Sequence, residues 1–207
     1  MNSNVLARYG VTALFVLALF MFFTHRNQHY TYPARCSTNN QCFVTTNKRT
    51  FPTYGNEYPD NLGDCMFAAA ANWTQIVQKR RLNVRAVEQA YLDASQSPTS
   101  GVSEDNFIWW WTSKGIAGSR VQGWNTASLM DEETVKRQVR QHRALFAIFD
   151  FQKGDTIGGQ KVDPGGHATV IDGYSSAGPL VVTWGQTYQM TWGEFWRSIS
   201  SVKVIEP

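Results

Sequence analysis

Apolar positions along the chain change their period twice, and each change marks a different kind of segment. From 9 to 23 the residues are almost wholly apolar, and with 5–7 and Thr24 the run comes to about the 20 residues that a bilayer-spanning helix needs, interrupted only by Arg8. Arg8 on one flank and His25 and Arg26 on the other bracket it as a membrane span. A cleaved signal peptide is the rival reading, but Phe22-Phe23-Thr24-His25-Arg26 lacks the small residues that a cleavage site prefers. An uncleaved anchor is therefore expected over 1–26. From 27 to 53 the chain is polar, with Pro33, Pro52 and several Asn, Thr and Tyr, and reads as a stem. A compact domain is expected over 54–207.

Inside that domain helical spacing comes first. Ala68, Ala69, Trp73, Ile76 and Val77 fall on one face of a helix predicted over 64–81, with Asp64 as its N-cap. Further helices are predicted over 84–95, over 103–114 behind Ser103, and over 131–142, where Lys136, Arg137 and Arg140 give a solvated face. Within the third, Trp109, Trp110 and Trp111 cover most of a turn; one or two belong to a core, and an exposed one would line a groove. After 144 the pattern turns β-branched and aromatic. Strands are predicted over 144–151, 167–174, 179–184 and 201–205, with a Gly-rich loop over 154–159. Helices first and strands afterwards predict an α+β domain with segregated layers.

Length and charge narrow the function classes. A chain of 207 residues supports one domain with a real core plus an appendage. The net charge of +3 is scattered, and no basic stripe interleaved with aromatics appears, so no nucleic-acid role is assigned. Cys36 and Cys42 enclose Ser-Thr-Asn-Asn-Gln, a short polar loop that either closes as a disulfide or carries two free thiols. A bridge would persist only in an oxidising compartment and would leave Cys65 as the odd thiol. That argues for a single-pass membrane protein with its domain outside the cytoplasm, whereas Arg26, Arg35, Lys48 and Arg49 beyond the span oppose export by the positive-inside rule. His25 or His29 with Cys36 and Cys42 lack the spacing and fourth ligand of a zinc site, so neither metal nor cofactor is expected. The sequon Asn72-Trp73-Thr74 lies within the first helix and is read as accidental.

Candidate chemistry centres on two residues far apart in sequence. Cys65 stands in Gly63-Asp64-Cys65-Met66-Phe67-Ala68, where a glycine turn runs into the first helix, and a helix N-terminus favours a thiolate. His167 heads the apolar strand in Gly166-His167-Ala168-Thr169-Val170-Ile171-Asp172-Gly173-Tyr174. A cysteine on a helix start and a histidine on a strand make a nucleophile and base pairing.

With a third block, Val182-Thr183-Trp184-Gly185 followed by Trp192-Gly193-Glu194, the chain resembles the papain-like cysteine peptidases, and more specifically their small bacterial and phage relatives. The likeness covers about 61–196. It implies a papain-like α+β fold, with an N-terminal helical part and a C-terminal antiparallel β part, and a peptide or protein substrate. Carried over, Cys65 is the nucleophile and His167 the base, Trp184 shields the histidine from water, and Gly166 and Asp64 flank the groove. Two family positions differ. The orienting Asn is replaced by Val182, so that Thr183, Gln186 or Asp172 would take over or the backbone alone would steer the imidazole, and the oxyanion Gln is replaced by Pro59, so that Asn61 is the nearest amide. Two readings stay open: a membrane-anchored thiol hydrolase cleaving peptide or related amide bonds, with a cell-wall amide hydrolase or acyltransferase as its near variant, and an inactive papain-like domain serving as a tethered binding or assembly module.

Overall fold

The computed structural model describes residues 62–129 and 131–207, together with the backbone of Ala34–Cys36 and Cys42–Val44. The chain divides into two units, Met1–Tyr32 and Pro33–Pro207. The expected span over 9–23 and nearly all of the stem lie outside the described residues. No helix among the described residues is long and apolar enough to cross a membrane.

Two short strands, β1 (Ala34–Cys36) and β2 (Cys42–Val44), pair antiparallel with Cys36 opposite Cys42. Helix α1 (Cys65–Gln78) follows, and every residue from Met66 to Ile76 is buried. Its run of Ala68, Ala69, Ala70 and Ala71 explains how: methyl side chains let the helix backbone approach a sheet closely while keeping high helix propensity. The helix stops three residues earlier than expected because Lys79 turns left-handed, at φ 54°. Helices α2 (Val84–Ala94) and α3 (Glu104–Ser113) begin at Asn83 and Ser103, whose side chains accept from the amides of Ala86 and Asn106. Capping of this kind contributes about 1 kcal/mol per helix.

Six antiparallel strands form the main sheet in the order β3-β10-β4-β7-β8-β9. They are β3 (Gly123–Thr126), β4 (Leu145–Phe151), β7 (Gly165–Tyr174), β8 (Pro179–Thr183), β9 (Gln186–Gln189) and β10 (Ile199–Glu206). A small hairpin, β5 (Thr156–Ile157) with β6 (Gln160–Lys161), occupies the stretch expected to be a Gly-rich loop. Helix α4 (Glu132–His142) starts at Asp131, which accepts from the Thr134 amide at 2.7 Å, and α5 (Trp192–Ser198) starts with a capping box of Thr191 and Glu194.

Helices cover both faces of this sheet. Ala144, Phe146 and Ile148 of the β4 region join Ala168, Val170 and Val182 in a core closed by α1, α2 and α3. Leu145, Ala147, Phe149 and Phe151, one residue out of phase, join Ile171, Val181, Val135, Val139 and Phe195 in a second core beneath α4 and α5. This double burial is why β4 reads as a continuous apolar run rather than an alternating one. It also corrects the expectation of segregated layers: β3 precedes α4, and α5 lies between β9 and β10. Of the three consecutive tryptophans, Trp111 is buried edge-on to Trp73 at 5.5 Å, whereas Trp109 is 54% exposed.

Candidate active site

Cys65 is the first residue of α1 and is half-buried. Asp64 ahead of it makes no side-chain capping bond, and its carbonyl accepts from the amides of Phe67 and Ala68. The Cys65 thiol is pushed up, first by burial; the backbone N–H groups of Ala168, Met66 and Cys65 itself pull it down, and Asp64 pushes it further up. The lowering expected from the helix start is thus present and outweighed, because desolving an anion costs more than one helix end returns.

His167 is the third residue of β7, behind Gly165 and Gly166, which are exposed. Its Nε2 lies 2.6 Å from Thr183 Oγ1. Strand register accounts for the partner. Val170 pairs with Val182, so both point into the α1 core, and the next residue along, Thr183, turns to the face that His167 occupies. The position held by the orienting Asn in the resembled family is therefore part of the apolar core here, with Val182 only 1% exposed.

Trp184 stacks on the imidazole with ring centroids 4.4 Å apart and planes 19° from parallel, and Phe151 approaches at 6.3 Å. The indole reaches this position through an unusual turn. Trp184 and Gly185 join β8 to β9 with φ of 40° and 78°, a two-residue turn that glycine or asparagine normally supplies. A large side chain in left-handed backbone costs about 1–2 kcal/mol, which the ring stack and burial offset. Enclosure by these rings and the sheet lowers the His167 pKa to about 4 by desolvation, so the imidazole is neutral near pH 7.

Cys65 and His167 border one narrow recess beside α1, together with Val182, Thr183 and Asn72. About 170 Å³ of space not filled by atoms lies there, open solvent at its mouth included. Asn72 was not singled out as a site residue by sequence reasoning. Its signal was the spacing of seven from Cys65, which puts both on one face of α1.

The remaining candidates lie elsewhere. Gln186 is exposed and its amide donates to the Tyr188 hydroxyl, not to His167. Asp172 is fully buried at the bulge where β7 shifts register against β8, and its carboxyl oxygens reach no hydrogen-bonding group beyond the residue's own backbone. Burial pushes it up to about 8. Asp64 is buried at the start of α1 and pushed up to about 7, chiefly by burial and then by Glu88, against a hydrogen bond from its own backbone. Asn61 and Pro59 lie outside the described residues, as do the side chains of Cys36 and Cys42. No cluster of His, Cys, Asp and Glu able to hold a metal occurs among the described residues.

No protein-family model matches the chain, and no curated protein matches it. Among solved structures the chain is similar to a digestive procathepsin L 3 of Tenebrio molitor larval midgut, with a TM-score of 0.47 and 10% sequence identity. The match covers 85% of this chain and 77% of that one.

Proposed function

We propose that this chain is a membrane-anchored, papain-like thiol hydrolase that cleaves peptide or related amide bonds. One observation carries the reading: Cys65 at a helix start and His167 on a facing strand line the same recess, with His167 Nε2 engaged by Thr183 at 2.6 Å. If the imidazole donates its Nε2 proton to Thr183 Oγ1, Nδ1 is left as the basic nitrogen. It then takes the Cys65 proton, and the thiolate attacks a carbonyl carbon. The imidazolium returns its proton to the leaving amine, and water, deprotonated by the same nitrogen, hydrolyses the thioester. The anchor rests on the apolar run over 9–23.

A second reading is favoured by a different observation. Burial holds the thiol up and the imidazole down, so both groups rest uncharged, as an inactive binding module would have them.

The two readings part on reactivity in the full chain reconstituted in lipid vesicles. A hydrolase labels at Cys65 with a peptide-based electrophile, loses all labelling with Cys65→Ser, and slows by at least about 100-fold with His167→Ala, the lower end of what a positioned base supplies. It also remains with the vesicles through an alkaline wash. Labelling that is indifferent to His167 sinks the hydrolase and leaves the binding module; release by the wash sinks the anchor.

A further inference from the structure

Behind the turn that presents Cys65, one buried phenol holds the chain on both sides of the nucleophile. Tyr91, from α2, is fully buried. Its hydroxyl accepts from the Gly63 amide at 3.1 Å and faces three carbonyl oxygens, those of Pro98 at 2.6 Å, Ser100 at 2.9 Å and Ser97 at 3.1 Å. A phenol has one proton to give, and the Pro98 oxygen is the nearest taker. The Gly63 amide also reaches that same oxygen at 3.0 Å. A Cβ on Gly63 would stand 2.7 Å from the carbonyl carbon and oxygen of Ser100, so the turn lies directly against the loop that Tyr91 ties down. On the other side of Cys65, the Tyr91 ring meets Phe67 edge-on at 5.8 Å, and Phe67 in turn meets Phe107 at 5.4 Å.

We propose that Tyr91 is a positioning residue for the Cys65 nucleophile, its hydroxyl fixing Gly63 two residues before the thiol and its ring fixing Phe67 two residues after. This inference rests on the thiol-hydrolase reading. The start of α1 requires such a device because the usual one is missing: Asp64 stands at the N-cap and makes no capping bond. Tyr91 supplies the restraint from a separate helix, setting where α1 begins relative to the strand that carries His167. A displacement of about 1 Å at a reacting atom costs on the order of 100-fold in rate, so the loss of one hydroxyl behind the nucleophile registers in chemistry before it registers in fold.

The test follows alkylation of Cys65 by iodoacetamide against pH in the full chain, resolved by mass spectrometry of the Cys65 peptide. Tyr91→Phe keeps the ring and removes the hydroxyl. Val139→Ala removes methyl groups from the other core and serves as a control that is destabilised without touching the turn. The expected result is a slowing of about tenfold or more in Tyr91→Phe with the inflection moved to higher pH, while Val139→Ala keeps the parent profile. An unchanged profile in Tyr91→Phe, or equal slowing in both variants, overturns the inference. Indifference of the parent to His167→Ala overturns the hydrolase reading and this inference with it. Should Tyr91→Phe lack a cooperative unfolding transition, the Tyr91 hydroxyl proton of the parent decides, read by NMR: slow exchange with water supports the restraint, and exchange at the free-phenol rate overturns it.

Discussion

At His167 the identity of the hydrogen-bonding partner decides what the imidazole can do. An asparagine oxygen only accepts, and so forces the ring proton onto the nitrogen facing it; a threonine hydroxyl both donates and accepts, and fixes the tautomer less firmly. Thr183 therefore orients the ring while leaving both ring tautomers within reach. Replacing it tests this directly. Thr183→Val, nearly the same shape without the hydroxyl, is expected to slow covalent labelling of Cys65 by roughly 10- to 100-fold, a fraction of what positioned acid–base catalysis supplies. Thr183→Ser, which keeps the oxygen, is expected to restore most of it. Equal rates in all three chains would mean that the ring is held by its stack on Trp184 alone.

The β8–β9 hairpin is the element that assembles the histidine's surroundings, since it carries Thr183 on one limb and Trp184 at the turn. Trp184→Asn suits the left-handed turn better and takes the indole off the imidazole. The hairpin is then expected to persist, while the His167 pKa rises from about 4 towards 6.5 by at least about one unit as water reaches the ring, a change read by NMR titration. An unmoved titration would assign the desolvation to the sheet and Phe151. This hairpin also marks where the sequence stopped being readable. Helices α1 to α4 and strands β4, β7, β8 and β10 announce themselves through apolar patterns and, for α3, the cap at Ser103. Strands β3 and β9 are four residues long and largely polar, and α5, at seven residues, is too short to display a helical period. Cys65 and His167 could be picked out because helix start and strand start are local features. The choice among Thr183, Gln186 and Asp172 could not, because it depends on register and on the bulge after Ile171, which are set between strands.

Over the whole molecule, three buried titrating groups set how stability answers to pH. His167 has a depressed pKa, so the stability it contributes is present above about 6.5 and is lost as the pH falls towards 4. Asp172 and Asp64 have raised pKa values, from an ordinary 3.8 to about 8 and about 7, so their contribution is full below 3.8 and is lost as the pH rises through those values. Between pH 5 and 8 the two acids dominate, and the fold is expected to weaken as the pH rises. Removing one charge isolates its share. The melting temperature of Asp172→Asn relative to the parent is expected to climb between about pH 5 and pH 8 at up to about 1.4 kcal/mol per pH unit, a few degrees each, and then level off. Parallel curves for the two proteins would show that the carboxyl is not held neutral in the fold. The sheet order has a consequence in time as well. β4 and β7, the central pair, are flanked by β10 from the far end of the sequence, and Cys65 waits on α1 for a histidine 102 positions later. A chain still emerging from the ribosome, or one caught half-folded, thus has Cys65 without His167 near it, and on the hydrolase reading its activity waits until the last strand has closed the sheet.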